Sequence, residues 1–141
     1  MMKPLSDDAK RILDDPNFGH LSTLMPDGSP KVDPVWVARD GETILVTSDA
    51  NSMKVANVEK DSRVALSVIA FDNPYDQLLI RGRVIEVRSD REMVVLDEFS
   101  QKYLGKPFGR RKWSERVVLV IRPSVARAYT SPLVDPRLPG S

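Results

Sequence analysis

Lys54 is a cation in an unusual setting. It lies two residues after Ser52 in the stretch ETILVTSDANSMKVANVEKD, residues 42–61, whose order of residue types reads strand, polar turn, helix. Thr43 to Ser48 is apolar and β-branched, and the cluster Ser48, Asp49, Ala50, Asn51, Ser52 breaks the strand before a helix pattern begins. A helix starting near Ser52 directs its unsatisfied first-turn N–H groups, and the positive end of its dipole, at that turn. A lysine in the same first turn is disfavoured unless an anion is present. Hydroxyls (Thr47, Ser48, Ser52), an amide (Asn51), free N–H groups and the Lys54 ammonium thus converge on one spot, in the outline of a phosphate site. The plainer alternative is ordinary capping by Ser and Asn beside a solvated lysine, since no glycine-rich phosphate loop is present. Spacing alone leaves both readings open.

Few other residues offer chemistry. The chain has no cysteine, which excludes thiolate metal sites, a disulfide framework and a cysteine nucleophile. Its single histidine, His20, sits in a strand pattern without a motif around it and reads as structural, so a histidine metal cluster or a Ser-His-Asp triad is not expected. The paired carboxylates Asp7/Asp8 and Asp14/Asp15 read as helix-end and surface charge. Arg110, Arg111 and Lys112, with Lys106 and Arg116 near them, form a basic run that is either a solvated loop or the seat of a small polyanion. Pro34 interrupts a strand, which marks an edge or a bulge, so Asp33-Pro34-Val35-Trp36 can present backbone and an indole to a ligand; the alternative is that Trp36 is plain core.

The elements that must position these residues follow from pattern. With 141 residues, 41% of them apolar, the chain is expected to be one domain spanning 1–141. Its 21 Lys and Arg nearly balance 20 Asp and Glu, so no global field favours nucleic acid or an anionic membrane. The charged N-terminus and the lack of a long apolar run predict a cytoplasmic location. Ser6 caps a short helix ending near Pro16. Strands are expected at 18–25, 31–38 and from Thr43, joined by Asp-Gly turns into an antiparallel meander. A helix over 52–60 leads to a strand at 62–70, continuous enough in apolar character to be central and buried on both faces. A long strand over 77–87 carries Gly82 at a bend or close approach. Ser89 to Glu92 resembles a capping box before a helix whose apolar face is Met93, Val94, Leu96, Phe99, Tyr103 and Leu104. Strands at 115–122 and 125–130 close the pattern, and an extended tail follows from Ser131. Six or seven antiparallel strands with three helices predict a mostly β barrel with helices at its ends.

The segments FGHLSTLMPDGSPKVDPVWV, ILVTSDANSMKVANVEKDSRVALSV, LIRGRVIEV and RVVLVIRPSVARAY resemble the pyridoxamine-phosphate-oxidase-like split-barrel superfamily. More narrowly they are similar to its actinobacterial branch of oxidoreductases that use the deazaflavin coenzyme F420, over about residues 5–129. The resemblance implies an FMN-binding-like split β-barrel, an obligate homodimer with two cofactor sites at the interface, and a cofactor phosphate held at the helix after the third strand. The matching positions are Thr47, Ser48, Asn51, Ser52 and Lys54. It also implies that Pro34, Val35 and Trp36 lie along the cofactor ring, and that Tyr75, Trp113 and Arg116 match regions brought in by a second subunit. Relatives often carry a basic residue where this chain has Ser52, which leaves Lys54 with less help. The implied function is hydride transfer between coenzyme F420 and an electron-poor conjugated small molecule, with Arg110 to Lys112 suited to the coenzyme's oligoglutamate tail. The alternatives are an FMN enzyme of the pyridoxamine-phosphate-oxidase type and a non-catalytic barrel that binds a flavin, deazaflavin or tetrapyrrole.

Overall fold

In the computed structural model, residues 4–109, 115–132 and 137 are described. Their elements are α1 (Asp7–Asp14), β1 (Phe18–Leu24), β2 (Pro30–Trp36), β3 (Ala38–Asp40), β4 (Thr43–Asp49), α2 (Met53–Lys60), β5 (Arg63–Ala70), β6 (Asn73–Ser89), α3 (Val94–Leu104) and β7 (Arg116–Thr130). Seven strands form one antiparallel sheet in the order β2-β1-β5-β6-β7-β4-β3, which curls so that its inner face encloses the main core. The three helices and the mostly antiparallel strands make the open split barrel that the pattern and the resemblance both indicate.

Alternation on β1, β4 and β5 sends Leu21, Ile44, Val46, Leu66 and Val68 into that core. Helix α1 contributes Ala9, Ile12 and Leu13, and its Ser6 cap accepts from the Ala9 amide at 3.1 Å. Arg11 holds the helix to the sheet by donating to Asp76 at 2.9 Å.

The expected meander does not form. Two hairpins do, β1–β2 and β3–β4, but they lie at opposite ends of the sheet order, so β2 and β4 face each other across the split. The strand expected over 31–38 breaks at Val37, whose buried side chain and Tyr103-bound backbone turn the chain from one hairpin to the other. Strand β5 is central, yet only one of its faces is buried. The stretch buried on both faces is Val118 to Ile121 in β7. Strand β7 is also continuous through Pro123, because register shifts beside Gly82 and at Val84/Glu86 of β6 let it bend without ending. A Cβ on Gly82 would lie 2.3 Å from the Arg122 carbonyl oxygen, so this approach admits only glycine.

Helix α3 starts differently from the capping box read in the sequence. Ser89 ends β6, Met93 takes the cap position at φ 59°, and the buried Asp90 carboxylate accepts from the Val95 and Leu96 amides at 3.1 and 2.9 Å. Asp90 fills the role because its own amide donates to the Arg116 carbonyl at 2.8 Å, which fixes the start of α3 beside the first residue of β7. Asp90→Ala strands two helix amides and is expected to lower stability by about 1–3 kcal/mol. Urea unfolding checks this, with Asp90→Asn recovering part of the loss. Gly105 ends the helix in the left-handed conformation at φ 71°.

Candidate functional site

The split between β2 and β4 holds a cavity of about 350 Å³ lined by Phe18, Pro34, Val35, Trp36, Thr47, Lys54, Leu96, Phe108 and Arg116. Each strand contributes for a local reason. Strand β2 is one of the two edge strands, so Pro34, opposite His20 in the β1 register, costs no ladder hydrogen bond on its free side. Trp36, at its end, stacks on Tyr103 with ring centroids 5.0 Å apart and planes 5° from parallel, and Phe108 meets its ring edge-on at 6.3 Å. Phe18 approaches Tyr103 at 5.7 Å.

Tyr103 is anchored from behind. Its hydroxyl donates to the Asn17 carbonyl at 2.6 Å and accepts from the Val37 amide at 2.9 Å, and burial pushes its pKa up to about 12. Next to it, Lys102 donates to the Leu13 carbonyl at 2.5 Å and the Val37 carbonyl at 2.6 Å. Burial pulls that ammonium down to about 8, against the pull of Asp14 and Asp15. The unfolded chain therefore binds more protons than the folded one between about pH 8 and 10.5, and this group's contribution to stability rises with pH across that window. Relative to Lys102→Met, the wild-type urea midpoint is expected to rise from pH 8 to 10, a slope that cancels contributions from other groups.

Opposite the aromatic wall lie two cations. Lys54 is in the first turn of α2, whose Ser52 cap accepts from the Val55 amide. Burial lowers the Lys54 pKa; Lys31 and Arg116 add to the lowering, and Asp33 and Asp49 oppose it. Arg116 opens β7, paired with Asp49 of β4, and donates through Nη2 to Thr47 Oγ1 at 3.2 Å. Burial lowers its pKa as well, against Asp49 and Asp90. Its Nε is buried without a hydrogen-bond partner, and no carboxylate among the described residues forms an ion pair with either cation. Two desolvated cations with an orphaned donor between an edge strand and a helix N-terminus fit an oxyanion such as a phosphate. Asp33 Oδ2 is a second buried atom without a partner, while its Oδ1 accepts from Lys31 at 2.6 Å.

Six of the residues singled out in the sequence line this cavity: Pro34, Val35, Trp36, Thr47, Lys54 and Arg116, the last from the same chain as Lys54 and not, as the resemblance implied, from a second subunit, because β7 pairs with β4. Ser48 and Ser52 sit just behind it. Their hydroxyls are 2.8 Å apart, with Ser48 also donating to the Asp49 carbonyl, so both already serve the turn. Asn51 is exposed, its amide donating to Asp49 Oδ1. Tyr75 is outside the lining, with its amide on Asn73 Oδ1 and its carbonyl accepting from Ser131. Trp113 lies outside the described residues, as does the basic run Arg110 to Lys112. Phe18, Leu96 and Phe108 were not expected in the site. No local pattern marks Phe108, whereas the outward parity of Phe18 with His20 could have placed it on the Pro34 face. Among the described residues no group of three or more His, Asp or Glu side chains gathers for a metal ion, and no helix is long and apolar enough to cross a membrane.

Comparison with known proteins agrees with this geometry. The family model for pyridoxamine 5'-phosphate oxidase matches residues 5–129. The chain belongs to that family. A solved F420 reductase is 32% identical over 87% of this chain and 98% of its own, with a TM-score of 0.79. A conserved hypothetical protein of Mycobacterium tuberculosis shares the fold at 20% identity, covering 96% of both chains with a TM-score of 0.71. General Stress Protein 26 of Bacillus anthracis does so at 17%, covering 87% of this chain and 92% of its own, with a TM-score of 0.66. The comparison with curated proteins yields no match. The family, with the F420 reductase at 32% identity, supports an oxidoreductase of the pyridoxamine-phosphate-oxidase type, a family that binds flavin-type cofactors.

Proposed function

We propose that this family member is an oxidoreductase that uses coenzyme F420, with the coenzyme's phosphate at Lys54 and Arg116 and its ring along Pro34, Val35 and Trp36. The carrying observation is the pair of half-buried cations, one with an orphaned Nε, facing an aromatic wall across a single cavity. The choice of deazaflavin over FMN rests on the 32% identity to an F420 reductase, together with the basic run Arg110 to Lys112 as a seat for an acidic tail. When bound, the coenzyme supplies a hydride to an electron-poor double bond or conjugated ring. The protein's part is binding and orientation. Tyr103 fixes the plane of Trp36, Phe18, Leu96 and Phe108 keep water from one side, and the two cations neutralise the phosphate in a partly desolvated setting.

The substrate has a seat nearby. A second, more apolar cavity of about 670 Å³ shares Phe18 and Pro34 with the first and adds His20, Ile69, Ala70, Phe71, Pro74 and one cation, Arg137, a size and lining suited to a planar conjugated molecule. The test is oxidation of anaerobically reduced coenzyme F420 against quinones, nitroheteroaromatics and conjugated enones. Protein-dependent oxidation with at least one class is expected. No oxidation by any class, together with no binding of the coenzyme, overturns the reading.

We further propose a working homodimer. Phe18, Ile69, Leu79 and Tyr129 point from one side of the sheet, with Phe71 beside them 77% exposed, an apolar face that a second copy would cover. Sedimentation at micromolar concentration should give a dimer; a monomer that still binds cofactor contradicts an interface site.

A further inference from the structure

The opposite end of that sheet face carries a row of arginines. Arg63 of β5 is paired in register with Arg83 of β6, which is paired with Arg122 of β7. Three guanidinium groups therefore stand on adjacent strands directly across from one another, an arrangement in which like charges destabilise a sheet. Asp61 chelates Arg63 through contacts of 3.0 and 2.7 Å, and its carboxyl is held down to about 2, chiefly by that side-chain hydrogen bond. No carboxylate among the described residues forms an ion pair with Arg81, Arg83 or Arg122. These side chains rim a cavity of about 390 Å³ whose remaining wall includes Ile85 and Pro123. The cavity sits where Gly82 lets β7 approach β6 closely and the register shifts. Arg122 lies six residues along β7 from Arg116, roughly 20 Å at strand rise, so the row is separate from the site in the split.

We propose that this cavity binds a small molecule carrying adjacent phosphate groups, of the di- or triphosphate class. Guanidinium forks donate to phosphate oxygens in pairs, and a row of arginines on adjacent strands offers more donors and more charge than a single anion can satisfy, which a chain of phosphates can. The anion also removes the repulsion along the row, which gives the register a physical reason. Ile85 and Pro123 offer an apolar wall to whatever the phosphates are attached to.

Thermal unfolding at low ionic strength tests this with tripolyphosphate, ATP and sodium chloride of matched ionic strength. Tripolyphosphate at about 100-fold over its dissociation constant is expected to raise Tm by roughly 5–10 °C, and chloride to do far less. The response should vanish in Arg83→Thr/Arg122→Thr and persist in Lys54→Ala, which weakens only the site in the split. Tighter binding of ATP than of tripolyphosphate assigns a nucleotide; equal binding assigns the phosphate chain alone. Without any anion, Arg83→Thr should raise Tm, because threonine suits the strand and relieves the row. A response abolished by Lys54→Ala and kept in the double variant overturns the proposal, as does one that chloride reproduces. A fall in Tm and a loss of dimer on Arg83→Thr also overturns it, since the row would then be paired by a second copy's carboxylates. Calorimetric titration of the wild-type protein with tripolyphosphate decides the matter even if the double variant folds poorly: no heat of binding sinks it.

Discussion

Lys54→Ala and Arg116→Ala are each expected to weaken binding of the phosphate-bearing cofactor by roughly 10- to 150-fold, the equivalent of the about 1.5–3 kcal/mol carried by a hydrogen bond to a charged group. Both cations are half-buried and form no ion pair with a carboxylate among the described residues, so a phosphate would have no ion pair to displace there. If one phosphate lies between them, the double variant should lose less than the sum of the two, because the first deletion already lets the phosphate shift or admit water. The empty protein should tolerate the lysine change well. Alanine is the best helix former, and removing a cation from the first turn of α2 relieves the dipole there. Its melting temperature should stay level or rise slightly, while Arg116→Ala also loses the Thr47 contact and should fall a little. Lys60→Ala, in the last turn of the same helix, is the control and should leave affinity unchanged. Fluorescence titration and thermal unfolding of the four variants read all of this; equal affinity of Lys54→Ala and Lys60→Ala would make Lys54 a plain surface lysine.

The largest loss of stability is expected at Phe99. Its ring is among the largest fully enclosed side chains, and truncating such a residue to alanine costs about 3–5 kcal/mol through lost transfer energy and the cavity left behind. In thermal unfolding that is roughly 10–20 °C. The effect should reach the site, since α3 also carries Leu96 of the cavity wall and Tyr103, which backs Trp36. Tryptophan emission, to which Trp36 contributes, should therefore change in the folded variant. Phe99→Leu should recover much of the loss, and a variant that melts within a few degrees of wild type would show that the ring is not a packing anchor.

Much of the scaffold is legible in the sequence because its signals are local. Ser6 and Ser52 cap the helices they announce, Asp-Gly pairs turn both hairpins, and Pro34 marks a true edge strand. Pairing between distant strands is not local, and there the pattern misleads. An Asp-Gly turn shows that two strands are antiparallel neighbours, yet nothing in Val37 itself shows that the two hairpins part company and face each other across a split. Burial on both faces likewise depends on what lies over a strand, which explains why Val118 to Ile121, and not the equally apolar β5, is enclosed. The cation pair was half visible. Lys54 stood out through its helix position, but its proximity to Arg116 follows from the β4–β7 pairing of Asp49 with Arg116, which no spacing encodes. The aromatic wall behind Trp36 depends on α3 lying near the chain reversal at Val37, and Tyr103 in a sequence is only one more apolar helix position.

The most direct test of the central claim is a pair of equilibrium titrations on the wild-type protein, one with coenzyme F420 and one with FMN, followed by quenching of tryptophan and cofactor fluorescence and repeated in Lys54→Ala. Binding of the deazaflavin should be at least tenfold tighter than that of FMN, with affinity for both ligands falling in the variant. Tight FMN binding with no response to coenzyme F420 would contradict the account.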